Sequence, residues 1–108
     1  MSRVVAFFFR RIQIEGSSMV PTLLPGQMVI ATRRWRPLRV GDVVVVPDPR
    51  DPERLVVKRV ARREERRLVL AGDNPEFSTD SRVFGPVRSS SVQFVLLRRD
   101  VKLKMRQD

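Results

Sequence analysis

The chain has 108 residues, of which 42% are hydrophobic, a size that supports one compact domain with a modest core. It contains no cysteine and no histidine, which excludes disulfides, thiolate nucleophiles, Cys/His metal sites and every histidine-based catalytic triad. We therefore expect no metal and no other cofactor, and any acid–base chemistry must use Lys, Asp or Glu.

Lys and Arg number 22 against 12 acidic residues, which gives the chain a formal charge of +10. Such a charge attracts anionic partners, among them nucleic acid and anionic lipid. The basic residues are scattered rather than massed, so an arginine-rich solvated surface explains the charge equally well. Charge alone identifies no partner.

The N-terminal segment, residues 1–11, contains an apolar run at 4–9 that is flanked by arginines. This run is far shorter than the roughly 20 apolar residues needed to cross a bilayer. It is either the core of a first strand or a weak peripheral contact with an anionic membrane, in which Arg10 and Arg11 meet lipid phosphates. We therefore expect no transmembrane span, a cytoplasmic or peripherally membrane-associated chain, and a folded domain over 12–108.

Short apolar runs rich in Val, Ile and Leu follow this segment, separated by clusters of Pro, Gly and Asp. This pattern is typical of an all-β domain and predicts a small barrel or sandwich with little helix. The predicted strands are 12–15, 27–32, 42–46, 55–61, 67–71 and 92–98. A stiff proline-rich connection is expected at 47–52, and no internal repeat or low-complexity linker indicates a second module.

Lys58 is the candidate general base. Without histidine, a serine nucleophile can be activated by a lysine whose amine is neutral. An exposed lysine has a pKa of about 10.4, and each unit of depression corresponds to about 1.4 kcal/mol, so such a lysine must be desolvated. Strand alternation puts Val56 and Val60 on its face and Arg59 on the other, where the guanidinium is expected to lower the Lys58 pKa further. Taken alone, this strand is better explained as an edge strand whose lysine discourages aggregation.

Ser18 is the candidate nucleophile. It follows a predicted strand at a point where Pro21 prevents regular continuation, so its hydroxyl can be exposed. Gly16 permits close approach of another backbone, and the Ser18 amide can point at a developing oxyanion. We assign Gly16, Ser17 and Met19 to the oxyanion site and the substrate strand. By itself, a Ser-Ser pair before a proline is usually only a turn.

Four sequence blocks occur in a fixed order along the chain. They are Ser-Met-x-Pro-Thr-Leu from Ser18, Gly-Asp-Val-Val from Gly41, Lys-Arg-Val from Lys58, and Gly-Asp-Asn with Ser-x-Asp-Ser-Arg and Phe-Gly-x-Val within 72–87. Together they resemble the successive boxes of the type I signal peptidase family, over about residues 12–98.

This resemblance implies an all-β protease with a Ser/Lys dyad and a signal-peptidase/LexA-like barrel or sandwich core. Ser18 falls at the nucleophile position of the family and Lys58 at its general-base position. Ser78 falls where the family has a serine that orients the lysine. Asp80 and Arg82 match an ion pair that supports the loop, although a surface pair of little energetic value is the alternative for them.

The resemblance also implies a substrate, a precursor protein or leader peptide cut after a small residue, often Ala. We expect this substrate to lie extended between 14–16 and 56–58 and to add itself as a strand, with Val56 in the substrate strand site. Asp73 and Asn74, from the last block, are assigned to structural support.

Some features depart from the family pattern. Gly16 stands where some members carry a hydroxyl residue, so the oxyanion hole would use mainly backbone amides. Only 13 residues separate Lys58 from Gly72, so we expect the inserted domain of larger members to be absent, and we expect no N-terminal span of the kind usual in the family. In size the chain resembles soluble maturation proteases proposed to trim the leader of nickel-type superoxide dismutase, which gives an alternative substrate.

Two functions of other kinds remain open. A basic nucleic-acid-binding module would use the charge together with Trp35 and the aromatic run at 7–9, but it leaves the spacing of the four blocks unexplained, and we expect no specific nucleic acid. A self-cleaving repressor would share the Ser/Lys logic, but no helix-turn-helix pattern precedes the domain. The oligomeric state stays open.

Overall fold

The computed structural model describes residues 9–34 and 36–97. Three predicted features lie outside the described residues: most of the apolar run at 4–9, Trp35 and the end of the last predicted strand. Within the described part, antiparallel β-strand dominates and helix is confined to short turns. The all-β prediction is therefore confirmed.

The described residues form seven strands and three short helical turns. The strands are β1 (Phe9–Gln13), β2 (Met28–Arg33), β3 (Val43–Asp48), β4 (Asp51–Glu64), β5 (Arg67–Ala71), β6 (Val87–Arg88) and β7 (Phe94–Leu96). One α-helical turn, α1 (Ser81–Phe84), and two 3-10 turns, Pro75–Phe77 and Ser89–Ser91, lie between the later strands.

A single sheet joins the strands in the order β1-β2-β7-β3-β4-β5-β6, and every neighbouring pair is antiparallel. No pairing among the described residues joins β1 to β6, so this sheet is open and not closed into a barrel. The last strand, β7, lies between β2 and β3, so it completes the middle of the sheet.

Two apolar clusters cover the two faces of the sheet. Along β3, Val43 and Val45 belong to one cluster, whereas Val44 and Val46 belong to the other, as the twofold alternation of a strand requires. All four side chains are at most 1% exposed. Burial on both faces explains why this strand is a run of valines without polar interruptions.

The two halves of β4 have different neighbours, and this difference leaves a cleft beside the first half. Residues 51–59 pair with β3, and residues 59–64 pair with β5. In the described chain, the edge of 51–58 that faces away from β3 therefore has no strand partner, and neither does the edge of β1 that faces away from β2. Free strand edges expose backbone donors and acceptors that another strand can use.

The proline-rich stretch at 47–52 differs from its prediction. Asp48 pairs with Asp51, so only Pro49 and Arg50 form the turn, and β4 begins at Asp51. Pro47 lies beside an irregularity in the register, a position where a strand tolerates proline. The stretch is therefore a tight hairpin and not a long connection.

Candidate active site

A cleft of about 570 Å³ lies between the free edges of β1 and β4. Ile14, Gly16 and Ser18 line one wall, and Val56 and Lys58 line the other. Ser17 and Met19 also line it. The fold thus gathers in one cleft the residues that the sequence assigned to the nucleophile, the base and the substrate strand.

The two candidate catalytic side chains are in direct contact. The Nζ atom of Lys58 donates to the Oγ atom of Ser18 at 3.0 Å. Lys58 is only 5% exposed, and Val56 and Val60 pack into the same apolar cluster on its face of β4. A nucleophilic hydroxyl and its base need this hydrogen-bond distance.

The pKa of Lys58 lies below the ordinary value for a lysine. The main cause is burial, which takes the ammonium form out of water. The carboxylates of Asp80 and Asp48 oppose this lowering of the pKa, and the guanidinium of Arg54 adds to it. Burial prevails, so a neutral amine is reached at a lower pH than for an exposed lysine.

Arg59 does not act on Lys58 as the sequence led us to expect. Its guanidinium binds the carboxylate of Asp73 in a bidentate pair, at 2.9 Å from Nε and 2.8 Å from Nη2. Its Nη1 donates to the carbonyl of Gly41 at 2.8 Å. A carboxylate in direct contact cancels the charge of Arg59, and the basic side chain that lowers the Lys58 pKa is Arg54.

The loop that carries Ser18 is anchored in the core. Met19 and Leu23 are at most 2% exposed, and the Leu23 N–H donates to the Met19 carbonyl at 2.9 Å. Gly16 has a φ of +75°, with open space where a Cβ would stand. A glycine is therefore favoured at position 16 because of the positive φ, and not because a Cβ would clash with a neighbour.

The amide of Ser18 is available to a ligand. Within the described residues, the Ser18 N–H donates to no acceptor, and Ser18 lines the cleft. A backbone N–H beside a nucleophile is the kind of donor that stabilises an oxyanion. The assignment of Gly16 and the Ser18 amide to an oxyanion site stays a prediction.

The segment 72–80 packs against the backbone of the nucleophile loop. The Asn74 N–H donates to the Ser18 carbonyl at 2.8 Å, and the Asn74 Nδ2 donates to the Ser17 carbonyl at 3.0 Å. A Cβ on Gly72 would lie 2.7 Å from the Ser18 carbonyl oxygen and would overlap the Ser78 hydroxyl. Gly72 is thus required by close approach of the two segments.

Asp80 organises the other end of this segment. Its side chain is 1% exposed and accepts from the Gly72 N–H, from the Ser78 hydroxyl and from Nε of Arg82, each at 3.0 Å. Burial alone would raise the pKa of Asp80, but hydrogen bonds from Arg82, Gly72 and Ser78 hold it below its usual value. The Asp80–Arg82 ion pair expected from the sequence is present.

Within the described residues, Ser78 lies close to the Ser18 carbonyl but is not hydrogen-bonded to the Ser18 or Lys58 side chains. Its hydroxyl proton is directed to Asp80, and no hydrogen bond between Ser78 and Lys58 occurs within 9–34 and 36–97. The role of Ser78 in orienting the lysine stays a prediction.

The basic composition of the chain is a further sequence signal for Lys58. Only three of the 22 basic residues are lysines, and Lys58 is the single lysine between residues 9 and 97. Arginine stays charged in proteins and cannot serve as a base. A lone lysine on a core strand of an arginine-rich chain is therefore a sequence signal that favours Lys58 as the candidate base.

Comparison with known proteins places these residues in a family context. Residues 2–62, more than half of the chain, match the family model described as "Signal peptidase, peptidase S26". The matched segment includes both Ser18 and Lys58.

Curated relatives are named as subunits of mitochondrial inner membrane proteases. "Mitochondrial ATP-independent inner membrane protease subunit 1a" of Arabidopsis thaliana is 37% identical over 112 aligned positions, which cover 80% of this chain and 67% of the relative. Subunit 2 of the mouse protease is 33% identical and human subunit 1 is 29% identical; the alignments cover 69% and 70% of this chain, and 57% and 60% of those relatives. The chain thus spans about three fifths to two thirds of their lengths. In the described ranges, no helix has both the length and the apolar character that a bilayer span requires.

Proposed function

Because the chain belongs to the signal peptidase family, peptidase S26, we propose that it is a serine endopeptidase that removes a leader or signal peptide from a precursor protein. In this proposal Ser18 is the nucleophile and Lys58 the general base. The observation that carries it is the 3.0 Å contact between Lys58 Nζ and Ser18 Oγ, made by a buried lysine whose pKa is lowered.

The first step is proton transfer within the dyad. The neutral amine of Lys58 takes the proton of the Ser18 hydroxyl as Oγ attacks the substrate carbonyl. The oxygen of that carbonyl becomes an oxyanion, and the Ser18 N–H, which has no acceptor within 9–34 and 36–97, donates to it. Lys58 then carries the proton and gives it to the leaving amine, which completes the acyl-enzyme.

The second step reverses these roles. Lys58, again neutral, takes a proton from a water molecule that attacks the ester of Ser18. The collapse of this second oxyanion returns the proton to Ser18 and releases the new carboxylate end of the leader. One base thus serves both halves of the reaction.

Ser78 orients the Lys58 amine in this scheme. Its proton is committed to Asp80, so the lone pairs of its oxygen can accept from the Lys58 amine. Such a contact directs the lone pair of the amine at Ser18. Its support is the position of Ser78, which is packed against Gly72 and close to the Ser18 carbonyl.

The substrate occupies the cleft as an extended strand. The free edges of β1 and β4 both offer backbone donors and acceptors to a segment between them, along 14–16 and 56–58. Ile14, Met19 and Val56 give the cleft an apolar lining near the dyad, which suits a small apolar side chain at the cut. The names of the relatives place them at a membrane, and we extend the proposal to a precursor presented at an anionic membrane surface.

Cleavage of a leader peptide with Ala on the acyl side of the cut tests the proposal. The wild-type chain, Ser18→Ala and Lys58→Met are assayed from about pH 6 to pH 10, with Ser90→Ala, an exposed serine outside the cleft, as the matched control. We expect activity in wild type and Ser90→Ala that rises with pH below the ordinary lysine pKa, and none in the two dyad variants. Cleavage that survives Ser18→Ala contradicts the assignment, and peptides with bulky residues cut equally well contradict the specificity.

A further inference from the structure

The contacts of Asn74 assign it a function beyond support of its own loop. We infer that the Asn74 side chain positions the oxyanion-binding amide of Ser18, an inference that rests on the proposed function. Its Nδ2 donates to the Ser17 carbonyl at 3.0 Å across 57 residues of sequence. Asn74 makes no contact with the Ser18 and Lys58 side chains among its hydrogen bonds in the described chain, so it acts through the backbone.

The geometry of the peptide unit converts this contact into control of the Ser18 N–H. In a trans peptide the carbonyl and the following N–H lie in one plane and point in opposite directions. The Ser17–Ser18 bond is trans, because the single cis bond in the described residues is Val20–Pro21. By holding the Ser17 carbonyl toward 72–80, Asn74 therefore turns the Ser18 N–H away from that segment, to a side where no acceptor from the described part of the chain binds it.

A second contact fixes the next peptide in the same way. The backbone N–H of Asn74 donates to the Ser18 carbonyl at 2.8 Å, so both peptides that flank the nucleophile are held from one residue. Only the side-chain bond is removed by substitution, because every residue except proline keeps the backbone bond. A change at Asn74 thus loosens the Ser17–Ser18 peptide alone.

The loop does not depend on this side chain for its conformation. Asp73 is bound by Arg59 and by Thr22, and Asp80 is bound by Arg82 and Gly72. These contacts hold both ends of 72–80 without Asn74. An amide donor that binds the peptide beside the nucleophile is therefore better explained by preorganisation of the oxyanion site than by folding.

The test compares Asn74→Asp, which is the same shape but presents an acceptor to the Ser17 carbonyl, with Asn74→Gln, which keeps an amide donor. Glu76→Gln, an isosteric change at an exposed residue of the same segment, is the matched control. We measure kcat and KM on the leader peptide, the inhibition constant of the corresponding peptide aldehyde, and the thermal midpoint. The aldehyde forms a tetrahedral adduct with a serine nucleophile, so its affinity reports the oxyanion site.

We expect Asn74→Asp to lower kcat and weaken aldehyde binding by a similar factor of about 10 to 100. KM should stay unchanged, because ground-state binding is untouched, and Asn74→Gln should recover part of kcat. The new carboxylate of Asn74→Asp raises the pKa of Lys58, as Asp80 and Asp48 do, so kcat is compared on the plateau above the alkaline limb, where Lys58 is neutral in every variant. Glu76→Gln should match wild type.

Three results overturn the inference. The first is an Asn74→Asp variant with wild-type kcat, and the second is an Asn74→Asp variant in which only KM is impaired. The third is a fall in the thermal midpoint of both Asn74→Asp and Asn74→Gln, together with equal kcat values in the two variants. A wild-type chain that neither cuts the peptide nor binds the aldehyde contradicts the proposed function itself, whereas an active wild type with an equally active Asn74→Asp contradicts only this inference.

Discussion

Lys58 and Arg59 are neighbours on β4, and their side chains lie on opposite faces of the strand in different electrostatic surroundings. Arg59 meets a carboxylate in a bidentate contact, with Asp73 at 2.8 Å, and its charge is fully compensated. Lys58 is buried on the face of β4 that carries Val56 and Val60, and its amine contacts the hydroxyl of Ser18, so its charged form is disfavoured. One face of β4 thus holds a fixed cation, and the other holds an amine that can lose its proton.

The difference depends on which carboxylates are already occupied. Asp80 raises the pKa of Lys58 at a distance, yet its oxygens are bound by Arg82, Gly72 and Ser78. No direct salt bridge to Lys58 forms among the described residues. A basic residue therefore becomes a base when burial is complete and its nearest carboxylate is committed elsewhere.

Lys58→Arg gives the largest effect expected from this comparison. It places on the Lys58 face a group that cannot deprotonate, so activity should fall by about 100- to 10,000-fold. The measurement is kcat/KM on the leader peptide, with circular dichroism to verify folding. A folded Lys58→Arg chain with wild-type kcat/KM would show that the amine is not the base.

Arg59→Met removes the ion pair on the other face of β4. It leaves the Asp73 carboxylate, whose side chain is 3% exposed, without its bidentate partner, and should lower the free energy of unfolding by about 2–4 kcal/mol. Urea unfolding measures this loss. The double change Arg59→Met with Asp73→Leu should recover part of the stability; if it is no more stable than Arg59→Met, the pair is not the source of the loss.

Arg54→Gln sharpens the comparison through the pH profile. Arg54 lowers the pKa of Lys58, so removing its charge should raise that pKa and move the alkaline limb of kcat/KM to higher pH. Arg54→Lys keeps the charge and should leave the limb near its wild-type position. A limb that moves to lower pH, or not at all, would mean that Arg54 does not act on the base.

Arg62→Gln should have the smallest effect. Arg62 lies beyond the cleft on β4 and pairs with Glu64, and the two side chains are 66% and 45% exposed. Exposed pairs contribute about 0–1 kcal/mol, so urea unfolding and kcat/KM should stay close to wild type. A large loss at Arg62 would show that charge on β4 matters everywhere, which would remove the distinction between its two faces.

The sequence predicted the fold class and the buried face of Lys58 because both depend on local alternation. Val56, Lys58 and Val60 share a face wherever the strand is placed, and the packing of the two valines confirms this. The contact of Lys58 with Ser18, 40 residues away, could be proposed only through the family resemblance. Alternation contains no information on which distant segments meet.

Partners chosen by tertiary packing were missed for the same reason. The role given to Arg59 was wrong because Asp73 lies in a separate loop, and only the fold shows that it reaches the guanidinium. The strand β6, with two residues, is too short to show a period. The hairpin at Pro49 and Arg50 was not predicted, because the prolines at 47 and 52 indicated a connection over 47–52 and not a two-residue turn.

The two free strand edges of the cleft also make the conformation of the precursor decisive. Only an extended segment can offer backbone groups to β1 on one side and β4 on the other. In a helix these groups are hydrogen-bonded within the helix, and in a sheet they are hydrogen-bonded to the neighbouring strands. A cut site inside a folded element should therefore resist this cleft however suitable its side chains are. The same site should become a substrate once its segment unravels, so that proteolysis would report how much of the precursor is still unfolded.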